Sequence, residues 1–244
     1  MKKIVKLAAY VLPFMLLVAV LSSFRTAFDQ QIKGNGVIKS ENRNASPFTE
    51  ISTSGVYKVV VQQGSTHSIK IEAEENLLPY ILTEVRGDEL EIKSRKGISI
   101  NPTKPITVYV TLEKVKRLSA SGASGFTSTG TLRSDKLELE FSGATNANLE
   151  LNTGKVAVDL SGASNIELKG TSRSAEYGIS GAADIAATDL RSDDVEIGIS
   201  GTGKARVFAE KKLNVSVSGM GKVKYKGEPV VTQSISGMGK VSRM

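Results

Sequence analysis

Residues 160–181 read LSGASNIELKGTSRSAEYGISG, and they contain the unit from which the second half of the chain is built. The dipeptide Ser-Gly occurs at Ser161 and again at Ser180. It returns at a nearly constant interval in seven copies: Ser121-Gly122, Ser142-Gly143, Ser161-Gly162, Ser180-Gly181, Ser200-Gly201, Ser218-Gly219 and Ser236-Gly237. A fixed period of about 20 residues is typical of a solenoid, in which each repeat forms one coil.

The apolar residues of the repeats also keep their places. The residue before each serine is apolar in all seven copies, and so is the residue five positions after it. The residue five positions before the serine is apolar as well, except in the first copy, where it is Lys116. Three inward positions per coil predict an all-β fold, a β-solenoid that resembles a right-handed parallel β-helix, with coils of about 19 residues.

The Ser-Gly pairs are predicted to mark a corner of each coil. Glycine reaches a positive φ at little cost, so we expect it where one side of a coil turns into the next. Stacking of the coils then places the seven serines and seven glycines in one structural corner column. The serine hydroxyls would form hydrogen bonds with neighbouring backbone groups or with each other.

Three segments follow from the pattern along the chain. Residues 1–28 combine an early cluster of lysines with the apolar run Leu7 to Leu21. This run is shorter than the ~20 residues of a spanning helix, so it predicts a signal peptide, with an uncleaved N-terminal membrane anchor as the alternative. Residues 29–118 alternate like strands without the Ser-Gly period, and we expect them to form an N-terminal β region of degenerate coils that caps the stack. Residues 119–244 form the repeat solenoid.

Composition excludes several classes of function. The formal charge is +7, but the segment 1–28 carries four basic and no acidic side chains, which leaves +3 for the rest. Such a near-balanced body gives little support for nucleic-acid binding. The chain has no cysteine, so it has neither disulfides nor thiolate metal sites. Tryptophan is absent and aromatic residues make up 5% of the chain, which argues against a stacking platform for sugars or single-stranded nucleic acid.

Two motifs that suggest chemistry have simpler interpretations. Gly198 to Ala205 matches a phosphate-binding P-loop at both glycines and at Lys204, but Ala205 stands where a Ser or Thr would hold magnesium. The residues that follow alternate like a strand, so we interpret this stretch as another corner. His67 is the single histidine, in an expected exposed turn, and the sequence offers it no catalytic or metal-binding partner.

Charged residues recur at outward positions of the coils. Glu140 and Asp159 occupy the same repeat position, so stacked coils would bring them within about 4.8 Å, as a polysaccharide lyase or hydrolase would require. The following coils have Gly or Ser at that position, and no aromatic residue flanks the pair, which favours a solvated face. The pairs Asp193-Asp194 and Glu74-Glu75 are predicted to face outward too. Lys204, Lys222 and Lys240 align as a basic column that could contact an anionic polymer or discourage aggregation at a sheet edge.

The opening of the exported region carries a family resemblance. Gly34-Asn35-Gly36-Val37, Phe48-Thr49-Glu50-Ile51 and Ser54-Gly55-Val56, together with the Ser-Gly-Ala-Ser and Ser-Gly-Met-Gly-Lys-Val copies, resemble the DUF2807 family. This family is also called "putative auto-transporter adhesin, head GIN domain" and is frequent in Bacteroidetes. The resemblance covers residues 34–243. It implies an exported β-helical protein without a demonstrated enzymatic activity, and it supplies no catalytic residues.

Taken together, these observations predict a non-enzymatic adhesion or surface-interaction module of the periplasm, cell envelope or cell surface. A carbohydrate-binding or carbohydrate-active solenoid is the alternative. We expect no catalytic, cofactor-binding or metal-binding residues. The expected partner is an envelope or extracellular polymer or protein, and not a nucleic acid. Contact with a membrane is expected only through the N-terminal segment, and a homo-oligomer stays open.

Overall fold

The structure is a computed structural model that describes residues 30–244; the predicted signal peptide lies outside these residues. The described chain is almost entirely β, with a single 3-10 turn at Leu78–Tyr80. The strands are β1 Gln30–Lys33, β2 Ile38–Arg43, β3 Glu50–Gly55, β4 Tyr57–Gln63, β5 Ser68–Glu74, β6 Ile81–Arg86, β7 Glu89–Ser94, β8 Ile98–Asn101, β9 Ile106–Leu112, β10 Arg117–Gly122, β11 Gly125–Phe141, β12 Ala144–Leu160, β13 Ala163–Ile179, β14 Ala182–Ile199, β15 Thr202–Val217, β16 Met220–Lys226, β17 Val230–Ile235 and β18 Lys240–Arg243. The predicted β-solenoid with coils of about 19 residues is confirmed.

Each of the long strands β11 to β15 is one coil of the solenoid, and the Ser-Gly pairs lie between them. Successive coils pair in parallel over almost their whole length. The register is that of the sequence repeat, since Val158 lies opposite Tyr177, which in turn lies opposite Ile197. Equivalent residues therefore form continuous columns along the axis of the stack.

A coil buries more positions than the three that the sequence pattern indicates. In β12 eight side chains point into the core: Thr145, Ala147, Leu149, Leu151, Thr153, Val156, Val158 and Leu160. The alternation of buried and exposed residues is interrupted at Gly154-Lys155 and again at the Ser-Gly pair. Two residues in a row stay outside the core at the first place and three at the second, from Ser161 to Ala163. Such interruptions allow the strand to bend, because side chains otherwise alternate between the two faces.

Differences in coil length are accommodated away from the Ser-Gly corner. The coil from Gly122 to Gly143 is the longest, and its two additional residues lie between Thr127 and Thr131 of β11. The register between β14 and β15 shifts at the equivalent place, between Ala187 and Arg191. The Ser-Gly corners consequently stay aligned although the repeats vary in length.

Parallel stacking continues into the N-terminal part of the chain. Strand β3 pairs in parallel with β10 and with β7, and β4 pairs in parallel with β11 and with β9. Antiparallel pairs then appear at this end, between β2 and β5, β5 and β9, and β6 and β7. The turn between β6 and β7 is the Arg86-Gly87-Asp88 segment, where Gly87 has φ 60°. One hydrophobic core runs from Phe48 to Val223.

Candidate functional site

A groove of about 800 Å³ runs along the solenoid beside the Ser-Gly corners. One wall is formed by the corner serines from Ser54 to Ser218, and the other by the outward residues two positions earlier in each coil. We call this feature the Ser-Gly groove. The earlier residues are, from one coil to the next, Ser52, Ser119, Glu140, Asp159, Gly178, Gly198 and Ser216. The groove thus has one wall of serines that recurs at seven levels of the stack and a second wall that changes from Ser to carboxylate to Gly.

Backbone hydrogen bonds hold each corner against the one before it. The N–H of Ser180 donates to the carbonyl of Leu160 at 2.9 Å, and the N–H of Ala182 donates to the carbonyl of Gly162 at 3.0 Å. The same two bonds recur one coil later, where Ser200 and Thr202 are the donors. The wall of the groove is therefore built from paired backbone and does not depend on the side chains for its shape.

The corner serines present their hydroxyls along this wall. Those of Ser142, Ser180, Ser200 and Ser236 donate to the carbonyl of the residue before the serine of the preceding coil, at 3.2 to 3.5 Å. A hydroxyl that donates once still has two lone pairs that accept. Ser121, Ser161 and Ser218 are also exposed at the groove. The groove thus offers a ladder of oxygen atoms spaced by one strand separation, about 4.8 Å.

The corner glycines are required for a different reason from the expected one. Of the seven glycines in the column only Gly122 has a left-handed backbone, with φ 103°, as has the earlier Gly55 on which it stacks, with φ 138°. At the later corners, a Cβ would overlap the carbonyl oxygen of the glycine in the preceding coil; Gly181 over Gly162 is one example. The missing side chain therefore permits close stacking of coils. The expectation of a positive φ at these later corners is wrong.

Glu140 and Asp159 lie directly opposite each other in neighbouring coils, on the wall of the groove. Both are exposed, and a Cβ at Gly178 would lie 2.6 Å from Oδ1 of Asp159, so this carboxylate extends over the glycine of the next coil. Glycosidase general acids, by contrast, are set in apolar surroundings. Phe141 is the one aromatic residue among those lining the groove, and it is buried in the core. The pair thus lies on neighbouring strands, about 4.8 Å apart, but lacks the environment of catalytic carboxylates.

The stretch that resembles a P-loop is one of the corners. Gly201 stacks on Gly181 in the glycine column, and the chain enters β15 at Thr202 without a helix. Ala205 is fully buried in the core. Lys204 is exposed on the outer face of β15, in register with Lys222 and Lys240. The geometry that a phosphate-binding loop needs, a helix N-terminus after the glycines, is not present here.

His67 is less exposed than the sequence indicates. Its ring packs edge-on against Phe48, with ring centroids 5.3 Å apart, and Nε2 lies 3.2 Å from the carbonyl oxygen of Phe48. This histidine links β5 to the segment before β3. Its contacts are those of a packing residue.

A buried carboxylate lies at Glu74, and the prediction that this side chain faces outward is wrong. Glu74 is fully buried, and it accepts hydrogen bonds from the N–H of Gly36 at 2.6 Å and from the N–H of Thr103 at 2.8 Å. The Thr103 hydroxyl donates as well, at 2.6 Å. Desolvation acts to raise the pKa of Glu74, but these hydrogen bonds outweigh it and lower the pKa below its usual 4.5. Glu74 thus fastens the first loop to the loop before β9.

Residues 30–244 lack two kinds of feature, a metal-binding cluster and a membrane-spanning helix. Residues 30–244 contain no group of three or more His, Cys, Asp or Glu side chains placed to hold a metal ion. Within the same residues, no helix has the length and apolar character needed to cross a membrane.

Comparison with known proteins identifies a family and a shared fold. The model of the DUF2807 family, described as "Putative auto-transporter adhesin, head GIN domain", matches residues 47–229. No protein with a curated annotation matches the chain.

Several solved bacterial structures share this fold. A "putative adhesin" from Bacteroides fragilis superposes with a TM-score of 0.83 at 23% identity, over 87% of this chain and all of that one. One from Parabacteroides merdae has a TM-score of 0.70 at 26% identity, over 88% of this chain and 99% of its own. A third, from Parabacteroides distasonis, has a TM-score of 0.73 at 22% identity, over 88% of this chain and all of its own.

Proposed function

We propose, from the premise that this chain belongs to the DUF2807 family, that it is a non-catalytic adhesion module exported to the cell envelope. Its ligand on this proposal is a linear, hydroxyl-rich polymer, such as a polysaccharide of the envelope or of the surroundings. The polymer lies in the Ser-Gly groove, parallel to the axis of the solenoid.

The observation that carries this proposal is the repetition of the groove. The wall of serines recurs from Ser54 to Ser218, so a polymer with repeating units meets similar groups at each coil. Serine hydroxyls both donate and accept, which suits the hydroxyl groups of sugars. Many weak contacts along a polymer add up to firm attachment, as in other multivalent binding.

A binding role also agrees with the state of the two carboxylates. Glu140 and Asp159 are exposed, so they can accept hydrogen bonds from sugar hydroxyls without being buried on their own. They add two levels of stronger acceptors to a wall that otherwise consists of Ser and Gly. This would favour one position of the polymer along the groove.

The proposal can be tested by filling the groove. Gly198 lies on its wall, and a Cβ there meets no atom within 4 Å, so Gly198→Tyr should fold normally and project a ring into the groove. The matched control is Thr171→Tyr, at an exposed position of β13 outside the groove. Binding is measured to immobilised linear β-glucan, xylan and chitin oligosaccharides. We expect Gly198→Tyr to weaken binding about tenfold or more, which is a loss of about 1.4 kcal/mol.

The control Thr171→Tyr distinguishes a blocked groove from a general effect of an added tyrosine on binding. Thr171→Tyr should bind as the wild type does, since it adds the same ring elsewhere on the stack. Equal affinities of Gly198→Tyr and the wild type for every polymer that the wild type binds would exclude the groove as the binding site.

The second candidate is an enzyme that cleaves a polysaccharide, and the observation in its favour is the register of Glu140 with Asp159. Two carboxyl groups about 5 to 5.5 Å apart are the arrangement of a retaining glycosidase. Turnover of the same polysaccharides is compared between the wild type and the double variant Glu140→Gln, Asp159→Asn. Cleavage by the wild type that the double variant lacks would establish the enzyme and replace the adhesion proposal.

A further inference from the structure

Positive charge is concentrated in the last coils of the solenoid. Residues 202–244 contain nine Lys or Arg and two Asp or Glu, a net charge of +7. Residues 30–201 contain 19 basic and 22 acidic side chains, a net charge of −3. The near balance of the chain after residue 28, with a net charge of +3, therefore hides a strongly basic end.

The centre of this charge is a column of three lysines. Lys204 lies directly opposite Lys222, and Lys222 lies directly opposite Lys240. All three are exposed, and none forms a salt bridge with any residue between 30 and 244. Like charges that face each other across paired strands are about 4.8 Å apart and repel. This arrangement lowers the stability of the stack.

Elsewhere the solenoid places opposite charges across neighbouring coils. Salt bridges of this kind join Lys155 to Glu176 at 2.6 Å, Arg191 to Glu210 at 2.9 Å and Lys211 to Asp193 at 2.9 Å. Lys204 faces Asp184 of the preceding coil, but this carboxylate forms its salt bridge with Arg206, at 3.0 Å. On its other side Lys204 faces Lys222, which faces Lys240, and there the lysine column departs from the rule. Protection of a sheet edge explains a lysine in β18, which is the last strand, but not Lys204, since β15 is paired on both sides.

Apolar side chains accompany the lysines on the same outward face. Met220 and Met238 each lie two residues before a lysine of the column, and they are 52% and 79% exposed. Lys224 lies two residues after Lys222 and adds to the charge. Residues two apart in a strand point to the same side of the sheet, as Met220, Lys222 and Lys224 do in β16. Met238 is exposed in the bend that leads into β18 and Lys240. We call the surface formed by Lys204, Lys222, Lys240, Lys224, Met220 and Met238 the basic face.

We infer that the basic face is a docking site for an anionic lipid surface. The basic face extends in two directions, along the strands and across the coils, as the headgroup layer of a membrane does. Its lysines attract anionic headgroups, and its methionines can enter the boundary between headgroups and acyl chains. A soluble polyanion would use the lysines alone and would leave the exposed methionines without a role. This contact is separate from the Ser-Gly groove, and it goes beyond the expectation that only the N-terminal segment meets a membrane.

The experiment places a fluorescent probe on the basic face. The chain has no cysteine, so Met238→Cys provides a unique attachment point for an environment-sensitive dye. Vesicles of phosphatidylcholine alone are compared with vesicles that also contain phosphatidylglycerol. We expect a blue shift of the dye only with the anionic vesicles, and a loss of this shift at high salt, which screens exposed charges. A dye at Asn152→Cys, on another exposed part of the stack, should not shift.

Charge variants test whether the lysine column is responsible. Lys204→Gln, Lys222→Gln and Lys240→Gln together should weaken partitioning about 100-fold, since each basic residue contributes about fivefold at an anionic surface. The matched control removes three exposed lysines elsewhere, with Lys96→Gln, Lys104→Gln and Lys114→Gln. This control variant changes the net charge by the same amount as the first, and it should leave the blue shift of the dye at position 238 intact.

The outcomes separate this inference from its competitors. No shift with anionic vesicles, an equal shift at position 152, or an equal effect of the two triple variants would each overturn it. Binding of heparin that depends on the lysine column, with no response to vesicles, would assign the face to soluble polyanions instead. None of these results depends on whether the Ser-Gly groove binds a polysaccharide.

Discussion

The tight stacking of the glycine column predicts a large effect of adding one methyl group. In Gly181→Ala the new Cβ would overlap the carbonyl oxygen of Gly162 and lie 2.7 Å from that of Ser161. Non-bonded atoms keep about 3.5 Å apart, so the two coils must separate by roughly 1 Å at this corner. The two hydrogen bonds beside it, now 2.9 and 3.0 Å long, would then exceed hydrogen-bonding distance. Each leaves backbone groups unsatisfied, at about 1 to 2 kcal/mol per bond, so we expect a loss of about 2 to 4 kcal/mol.

Equilibrium unfolding in urea, followed by circular dichroism, measures this loss, and Gly198→Ala is the matched control. Gly198 belongs to the adjacent coil, but a Cβ there meets no atom within 4 Å. Its replacement should change the free energy of unfolding by no more than about 1 kcal/mol, in the stabilising direction, because Ala restricts the unfolded chain. A Gly181→Ala protein as stable as the wild type, or a Gly198→Ala protein as unstable as Gly181→Ala, would refute close stacking as the reason for the corner glycines.

Four further predictions concern the core, the buried carboxylate, the repeat and the single histidine. Ile179→Asp should unfold the stack, because it places an unpaired charge among buried side chains. The exposed Glu140→Ala should change the free energy of unfolding by no more than about 0.5 kcal/mol. Urea unfolding of both variants measures the difference. The pKa of Glu74 is lowered in the folded protein, so its carboxylate stabilises the fold above pH 4.5, and this stabilisation is lost as the pH falls through the folded pKa. Glu74→Gln should therefore make the loss of stability at acid pH less steep. An unchanged dependence of stability on pH in the acid range would contradict this. Deletion of residues 161–179 removes one whole coil and should keep the remaining register while weakening polysaccharide binding; loss of the cooperative β spectrum would argue against independent coils. His67→Ala should lower the thermal midpoint, because it removes an aromatic contact, and should leave binding unchanged.

The repeat and its register could be predicted because the same residue pattern occurs in seven copies of the sequence. An error at one copy, such as Lys116 among the apolar residues, is outweighed by the other six. Parallel stacking makes equivalent residues neighbours, so the facing of Glu140 and Asp159 followed from counting alone. The groove beside the corners did not follow, because it results from the bend of the backbone at each Ser-Gly pair.

Contacts that occur once were beyond the sequence analysis. Glu74 is held by Gly36 and Thr103, which lie 38 and 29 residues away, and no pattern links these three positions. Its neighbour Glu75 is half-exposed, so the pair appeared alike in sequence while only one member is buried. The packing of His67 on Phe48 is likewise a single contact between distant residues. Repetition reveals columns, but the elements of the N-terminal part have no second copy to compare.

The hydrogen bonds that join one coil to the next have a mechanical consequence, since they run along the axis of the stack. A pull between the N-terminal end and a ligand held by the later coils would load them one coil at a time, because each coil contacts mainly its neighbours. A released coil of about 19 residues extends to about 65 Å at ~3.4 Å per residue. The protein would therefore lengthen in regular steps under flow, and each step would dissipate work before the attachment itself is strained.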